Sequence, residues 1–242
     1  MPVELVPMQV EALRSVEKQS RIATAAWTDN SDEQLRLEEL IEDSKPPMDA
    51  EVERLDWLLR PAFRYPPLPY GSRFGTADLR GILYLSLSPL ALAAETAYYA
   101  HVFMSGIAEP TDEELNVERS VIGVQCNLDR CADVRTLPAG GQEELLSVVS
   151  WDASQQFGAS IRTSGGQAIC YPSARLPSPS RDEHLNLAVF DPSAVTGAPR
   201  SITSFSVHVG KSEVHVQDPL RREAYRFDRH GERFATGTAE RS

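Results

Sequence analysis

Between Arg80 and Glu109 the chain carries one acidic or basic side chain apart from a histidine: Glu95, in the stretch SPLALAAETAYYAHVF. Burying an unpaired carboxylate is costly, so this acid must be paired, open to a cleft, or on the solvent side of its helix. In a cleft it could stabilise a developing cation or take a proton from an attacking nucleophile. Arg73 lies in GSRFG, where the flanking glycines would let a ligand approach the backbone. Its guanidinium suits a phosphate, which it can hold with two parallel hydrogen bonds. Tyr84 sits in ILYLS, Ser173 in YPSARLP with Arg175 two residues on, Arg64 in FRYPP, and Asn186 beside LAVFD. Each alone has an ordinary structural explanation: a helix-surface acid, a packed strand tyrosine, a loop arginine.

These residues need elements to hold them. Ser88-Pro89 opens a helix, with the hydroxyl as cap and proline at its first position, and the pattern carries it to about Phe103. Gly81–Ser86 reads as a strand, as do Val117–Asn127, Gln167–Tyr171, Leu187–Asp191, Ile202–Val209 and Glu213–Val216. The last two are joined by a hairpin-like turn at Gly210-Lys211. Asp152–Thr163 reads as a helix. Strands and helices in mixed order argue an α+β fold rather than a doubly wound parallel sheet.

Residues 1–60 read as an acidic helical extension, with fourteen acids against seven bases. Val10–Ile22 has no breaker, Ser31 with Gln34 resembles a capping box, Lys45-Pro46-Pro47 stops that helix, and Glu51–Leu59 forms a third. These helices either pack on the main domain or form a regulatory or homodimer arm. That main domain reads as residues 61–228, with a core at about 62–208, and 229–242 as a flexible tail.

A net charge of −11 disfavours nucleic acid and anionic membranes. The densest basic stretch, Arg221–Arg233, is interrupted by Glu223, Asp228 and Glu232. The first residues lack a secretory pattern, no apolar run is long enough for a membrane span, and three sparse cysteines fit a reducing, cytoplasmic setting. Cys126 and Cys131 have no second pair, and His208 with His215 lacks a third ligand, so no metal is expected. No Rossmann or Walker loop opens a helix.

Taken together, GSRFG (Arg73), ILYLS (Tyr84), LALAAE (Glu95) and YPSAR (Ser173) resemble the RES domain, with FRYPPL, NLAVFDP and the segment DASQQFGASIRTSGG as further matching pieces. The intervals Arg73–Tyr84 and Tyr84–Glu95 are each 11 residues. The resemblance implies an ADP-ribosyltransferase-like mixed or antiparallel sheet and NAD as substrate. It also implies a toxin paired with a helix-turn-helix (Xre-type) antitoxin. On it, Glu95 stabilises the cation formed when the nicotinamide–ribose bond breaks, while Arg73 and Arg64 hold the pyrophosphate. Tyr84 borders the nicotinamide, Ser173 contacts the ribose or carboxamide, and Asn186 adds a polar contact. Water, phosphate or a protein would accept the ADP-ribose. The alternative is a catalytically silent scaffold of the same shape, acting through its N-terminal helices. The chain departs from compact members of the family by about 60 extra N-terminal residues and by a long segment with the acidic loop Glu109–Glu114.

Overall fold

The structure is a computed structural model and describes residues 3–18, 27–106, 114–177, 180–210, 212–230 and 233–241. The end of the helix expected over Val10–Ile22, most of the loop Glu109–Glu114, Lys211 of the expected turn and part of the stretch Arg221–Arg233 lie outside the described residues. Among those described, nine strands share one sheet. They are β1 (Leu5–Glu17), β2 (Leu83–Ser86), β3 (Leu115–Asp133), β4 (Ala168–Pro172), β5 (Leu185–Val189), β6 (Val195–Val209), β7 (Glu213–Asp218), β8 (Glu223–His230) and β9 (Arg233–Arg241). The helices are α1 (Ser31–Ser44), α2 (Ala50–Glu53), α3 (Pro61–Arg64), α4 (Pro89–Ser105), α5 (Ala139–Leu145), α6 (Asp152–Thr163) and α7 (Ser180–Glu183). The fold is α+β.

The strand order is β1-β2-β5-β4-β3-β6-β7-β8-β9, with β1 also paired to β3. That extra pairing closes β1, β2, β5, β4 and β3 into a ring, from which β6 to β9 continue as a meander. The β3–β4 pairing is parallel and the others are antiparallel. Alternation along the strands sorts the core. Leu83 and Leu85, Val124, Cys126 and Leu128, Ala168 and Cys170, and Leu187 and Val189 form one cluster drawn from the ring strands. Ala12 joins it from β1, and Val52, Leu55, Leu59 and Phe63 pack on it from the helical segment before β2. The alternate residues Ile169, Tyr171 and Ala188 join Leu145, Leu146 and Ile161 in a second cluster. In a third, Leu92, Ala93, Ala94 and Ala97 of α4 pack on Phe205, Val207, Val214, Val216, Tyr225 and Phe227. As expected, Ser88 caps α4, its hydroxyl accepting from the Ala91 amide at 3.2 Å, with Pro89 first in the helix.

Four expectations are corrected. Residues 5–17 are strand, not helix: Met8, Val10, Ala12 and Val16 alternate into the ring cluster, and the backbone pairs with β3 from Leu5 to Glu17. A breaker-free segment adopts whichever period its burial rewards, so the first sixty residues are not a purely helical extension. The cap of α1 is Asn30, which accepts from the Glu33 amide at 2.9 Å, while Glu33 accepts from the Asp29 amide at 3.0 Å; the box is shifted one residue from Ser31. The helix at Glu51–Leu59 ends at Glu53, where the Asp56 carboxylate captures the Leu58 amide at 3.0 Å. Residues 233–241, read as part of a flexible tail, form β9 on the edge of β8.

Among the described residues no helix is long and apolar enough to cross a membrane, and no cluster of three or more His, Cys, Asp or Glu residues could hold a metal ion. The three cysteines are free and buried. Burial above all pushes each thiol up to about 12. They are therefore expected to react with a thiol reagent at neutral pH only after denaturation; rapid labelling of the native chain would contradict the packing. Gly158 of α6 sits against the backbone of Phe74, whose carbonyl a Cβ would strike. Gly158→Ala is expected to lower stability by about 1–3 kcal/mol, read as a fall in the denaturation midpoint.

Candidate functional site

A cavity of about 560 Å³ opens between α4 and the β1–β2 side of the ring. Arg73, Tyr84, Glu95 and Asn186 all line it, with Tyr99, Tyr171, Arg175 and Trp151. From β1 and β3 come Arg14, Ser15, Glu17 and Arg119.

Glu95 faces it from α4, and each of its oxygens has a partner. Asn186 Nδ2 donates to Oε1 at 3.1 Å. Arg175 Nε lies 3.5 Å from Oε2, close enough for an ion pair but not aligned as a hydrogen bond. Asn186 is oriented in turn by Ser86, its cross-strand partner, whose hydroxyl donates to Oδ1 at 2.8 Å. The Arg175 guanidinium stacks 3.4 Å over the centroid of Tyr98, an arrangement that favours a desolvated cation. Glu95 keeps 24% of its side chain exposed while Arg175 keeps 4%, so the carboxylate is held in place and still reachable.

The loop GSRFG is built tightly. Gly71 has φ +74 and lies against the Gly75 carbonyl. The Ser72 amide donates to that carbonyl at 2.7 Å, and Gln155 of α6 donates to the Tyr70 and Ser72 carbonyls at 3.0 and 3.1 Å. Phe74 is fully buried, edge-on to Tyr171 at 4.9 Å. A Cβ at Gly71 would strike the Gly75 carbonyl, and one at Gly75 would press on the end of Ile82, so Gly71 serves the turn and Gly75 packs against Ile82 rather than opening the backbone to a ligand. The loop sends Arg73 inward, where Nη1 donates to the Leu145 and Ser147 carbonyls at 3.0 and 2.9 Å. Nη2 is buried with no hydrogen-bond partner among the described residues, and burial pushes the guanidinium below its usual value. An unsatisfied buried donor of this kind is rare in a folded protein.

Tyr84 fastens this loop. Its hydroxyl donates to Ser72 Oγ at 2.9 Å and accepts from the Phe74 amide at 3.1 Å. Burial, partly offset by these bonds, pushes the phenol up to about 12, which makes it a neutral wall of the cavity rather than a base.

Two expected contacts are corrected. Arg64 is not at the cavity: it donates to the Pro46 carbonyl at 2.7 Å and to Glu42 at 2.6 Å, tying α3 to the end of α1. Ser173 is fully buried. Its amide donates to the His184 carbonyl at 2.9 Å and its hydroxyl accepts from the Arg175 amide at 3.3 Å, so it shapes the turn that aims Arg175. Arg175 was legible only as a neighbour of Ser173. Tyr99, Tyr171, Trp151, Arg14 and Arg119 gave no chemical signal in the sequence, because strand and helix pairing alone brings them to one surface.

A family model described as RES domain matches residues 48–209, more than half of the chain. No curated protein matches the sequence. A chain from the crystal structure of the M.tuberculosis MbcT-MbcA toxin-antitoxin complex superposes with a TM-score of 0.45 and 13% identity, covering 84% of this chain and 86% of that chain.

Tyr84→Phe removes a hydroxyl with two partners and is expected to cost about 1–3 kcal/mol of stability at neutral pH. The phenol is raised on folding from 10.0 to about 12, so its contribution is complete below pH 10 and is lost as pH rises through about 12. Denaturation of both proteins across that range checks it: a gap that does not narrow would place the phenol in water.

Proposed function

We propose that this chain, which belongs to the RES domain family, breaks the nicotinamide–ribose bond of NAD in the Glu95 cavity. The observation that carries the reading is one carboxylate, gripped by Asn186 and Arg175, sharing a cavity with Arg73.

Breaking the glycosidic C–N bond leaves its electron pair on the nicotinamide ring nitrogen, which changes from a pyridinium cation to a neutral pyridine nitrogen. The leaving group therefore needs no proton, and a second carboxylic acid is not required. The ribose carbon becomes cationic, and a negative charge fixed beside it lowers that barrier. Asn186 and Arg175 hold Glu95 without neutralising its access to the cavity, so little reorganisation is needed as the charge develops. Arg73 supplies a hydrogen-bond donor for a phosphate oxygen, and Tyr84 borders the site as an uncharged ring. The cation is then captured by water, phosphate or a protein nucleophile, whose proton passes to Glu95 or to solvent. Action as the toxin of a pair with a helix-turn-helix antitoxin is the role the family resemblance implies.

One observation favours the silent-scaffold alternative. No residue of α1 is buried, and Leu35, Leu40 and Ile41 are exposed on it, as a helix awaiting a partner would be.

Incubating the full chain with NAD, with and without phosphate and cell lysate, and measuring free nicotinamide separates the two readings. Wild type is expected to release nicotinamide. Glu95→Gln should lower the rate about 10²–10⁴-fold while NAD still binds, because the lost charge acts mainly in the transition state. Silence from wild type under every condition would leave the scaffold as the surviving account.

A further inference from the structure

The cavity does not end at Glu95. On α4 its lining residues are Leu92, Glu95, Thr96, Tyr99, Ala100 and Phe103, spaced three and four apart so that they share one face over about three turns. Phe103 stands eight residues beyond Glu95, about 12 Å along the axis at the rise of an α-helix. Phe103 and Tyr99, four residues apart, leave 65% and 59% of their surface exposed. Two large rings in water beside a cavity are unfavourable unless something covers them.

Across from these rings the sheet supplies a floor. Leu115, Val117 and Arg119 alternate along β3. Register sets Val207 of β6 opposite Val117, and Glu17 of β1 opposite Arg119, so all five belong to one face of the sheet. All five line the cavity. Leu115, Val117 and Val207 are apolar, while Arg119 and Glu17 place a cation and a carboxylate side by side. Arg119 is part-buried and held by Ser15, with Nε donating to Oγ at 3.2 Å and Nη2 to the carbonyl at 3.4 Å. Glu17 is exposed. An apolar floor, an aromatic wall and a donor beside an acceptor suit a planar heteroaromatic ring.

The proposed reaction decides which ring. The bond that breaks lies at Glu95 and joins nicotinamide directly to its ribose, so that ring stays near the carboxylate. Adenine is carried further by the diphosphate bridge. Its hydrogen-bonding edge sets a ring-nitrogen acceptor beside an amino donor. That edge matches a guanidinium, which only donates, next to a carboxylate, which only accepts. We propose that the far end of the cavity, between Tyr99 and Phe103 of α4 and Val117 and Val207 of the sheet, holds the adenine of the dinucleotide, with Arg119 and Glu17 selecting it by its edge. The proposal rests on the reading of the cavity as the place where NAD is cleaved.

Nicotinamide release by the full chain is measured from three substrates. They are NAD, its hypoxanthine analogue, in which a carbonyl oxygen replaces the adenine amine, and nicotinamide mononucleotide, which has no adenosine. Wild type is expected to prefer NAD to both. Phe103→Ala should raise KM for the two dinucleotides about tenfold, keep kcat, and leave nicotinamide mononucleotide unchanged. Glu17→Gln should cut the preference for NAD over the hypoxanthine analogue about tenfold, because an amide can donate to the carbonyl that a carboxylate repels. Both side chains are exposed, so neither change should lower the melting point. If Phe103→Ala leaves every KM unchanged, the adenine slot is overturned and the exposed rings are left to a protein partner. A loss shared equally by all three substrates overturns it as well. A Glu17→Gln protein with the wild-type preference refutes selection by the edge. Should wild type cleave nicotinamide mononucleotide as readily as NAD, the slot fails and the cleavage reading stands; should it cleave none of the three, the cleavage reading itself fails.

Discussion

A carboxylate on a helix of leucine, alanine and aromatic residues needs partners from elsewhere in the chain, and Glu95 obtains them from two directions. Asn186 reaches one oxygen from β5 and Arg175 approaches the other from the turn after β4. Both depend on strand register. Asn186 stands opposite Ser86 on one side and Tyr171 on the other, and a slip of one residue would turn it to the opposite face of the sheet. The charge distribution of the cavity is thus a consequence of how β2, β5 and β4 are paired.

The arginines around the cavity differ in how far the protein satisfies them. Arg175 has Glu95 and the face of Tyr98. Arg73 has two carbonyls on one nitrogen and nothing on another. Arg14 has a buried nitrogen without a partner among the described residues. Desolvated cations with spare donors weaken a fold. Other candidates in the sequence settle into structure instead: Arg64 ties helices together, and Ser173 holds a turn.

The ring explains why the N-terminal segment belongs with the rest. The matched family segment begins at residue 48, yet β1 joins β2 to β3 and completes the closure. It thereby covers edges that would otherwise be open to another strand and lines part of the cavity wall. α1 differs, since it buries nothing.

The sequence by itself determined the elements whose signals are local. The Ser88-Pro89 start of α4, the α6 span, the Lys45-Pro46 stop and several short apolar strands can be read directly, because capping, proline geometry and alternation act within a few residues. It also singled out Glu95, a lone charge in an apolar helix, and Arg73, Tyr84 and Asn186 as its companions on the cavity wall. Tertiary structure decided the rest. Residues 5–17 carry no breaker and could wind or extend; only the long pairing with β3 makes them a strand. That Arg14 lines the cavity was invisible for the same reason, since most of the other lining residues lie far along the chain. Ser173 and Arg175 are two residues apart, and nothing local says which one faces the cavity. A side chain's partners across a sheet are set by register and closure, which depend on the whole chain folding at once.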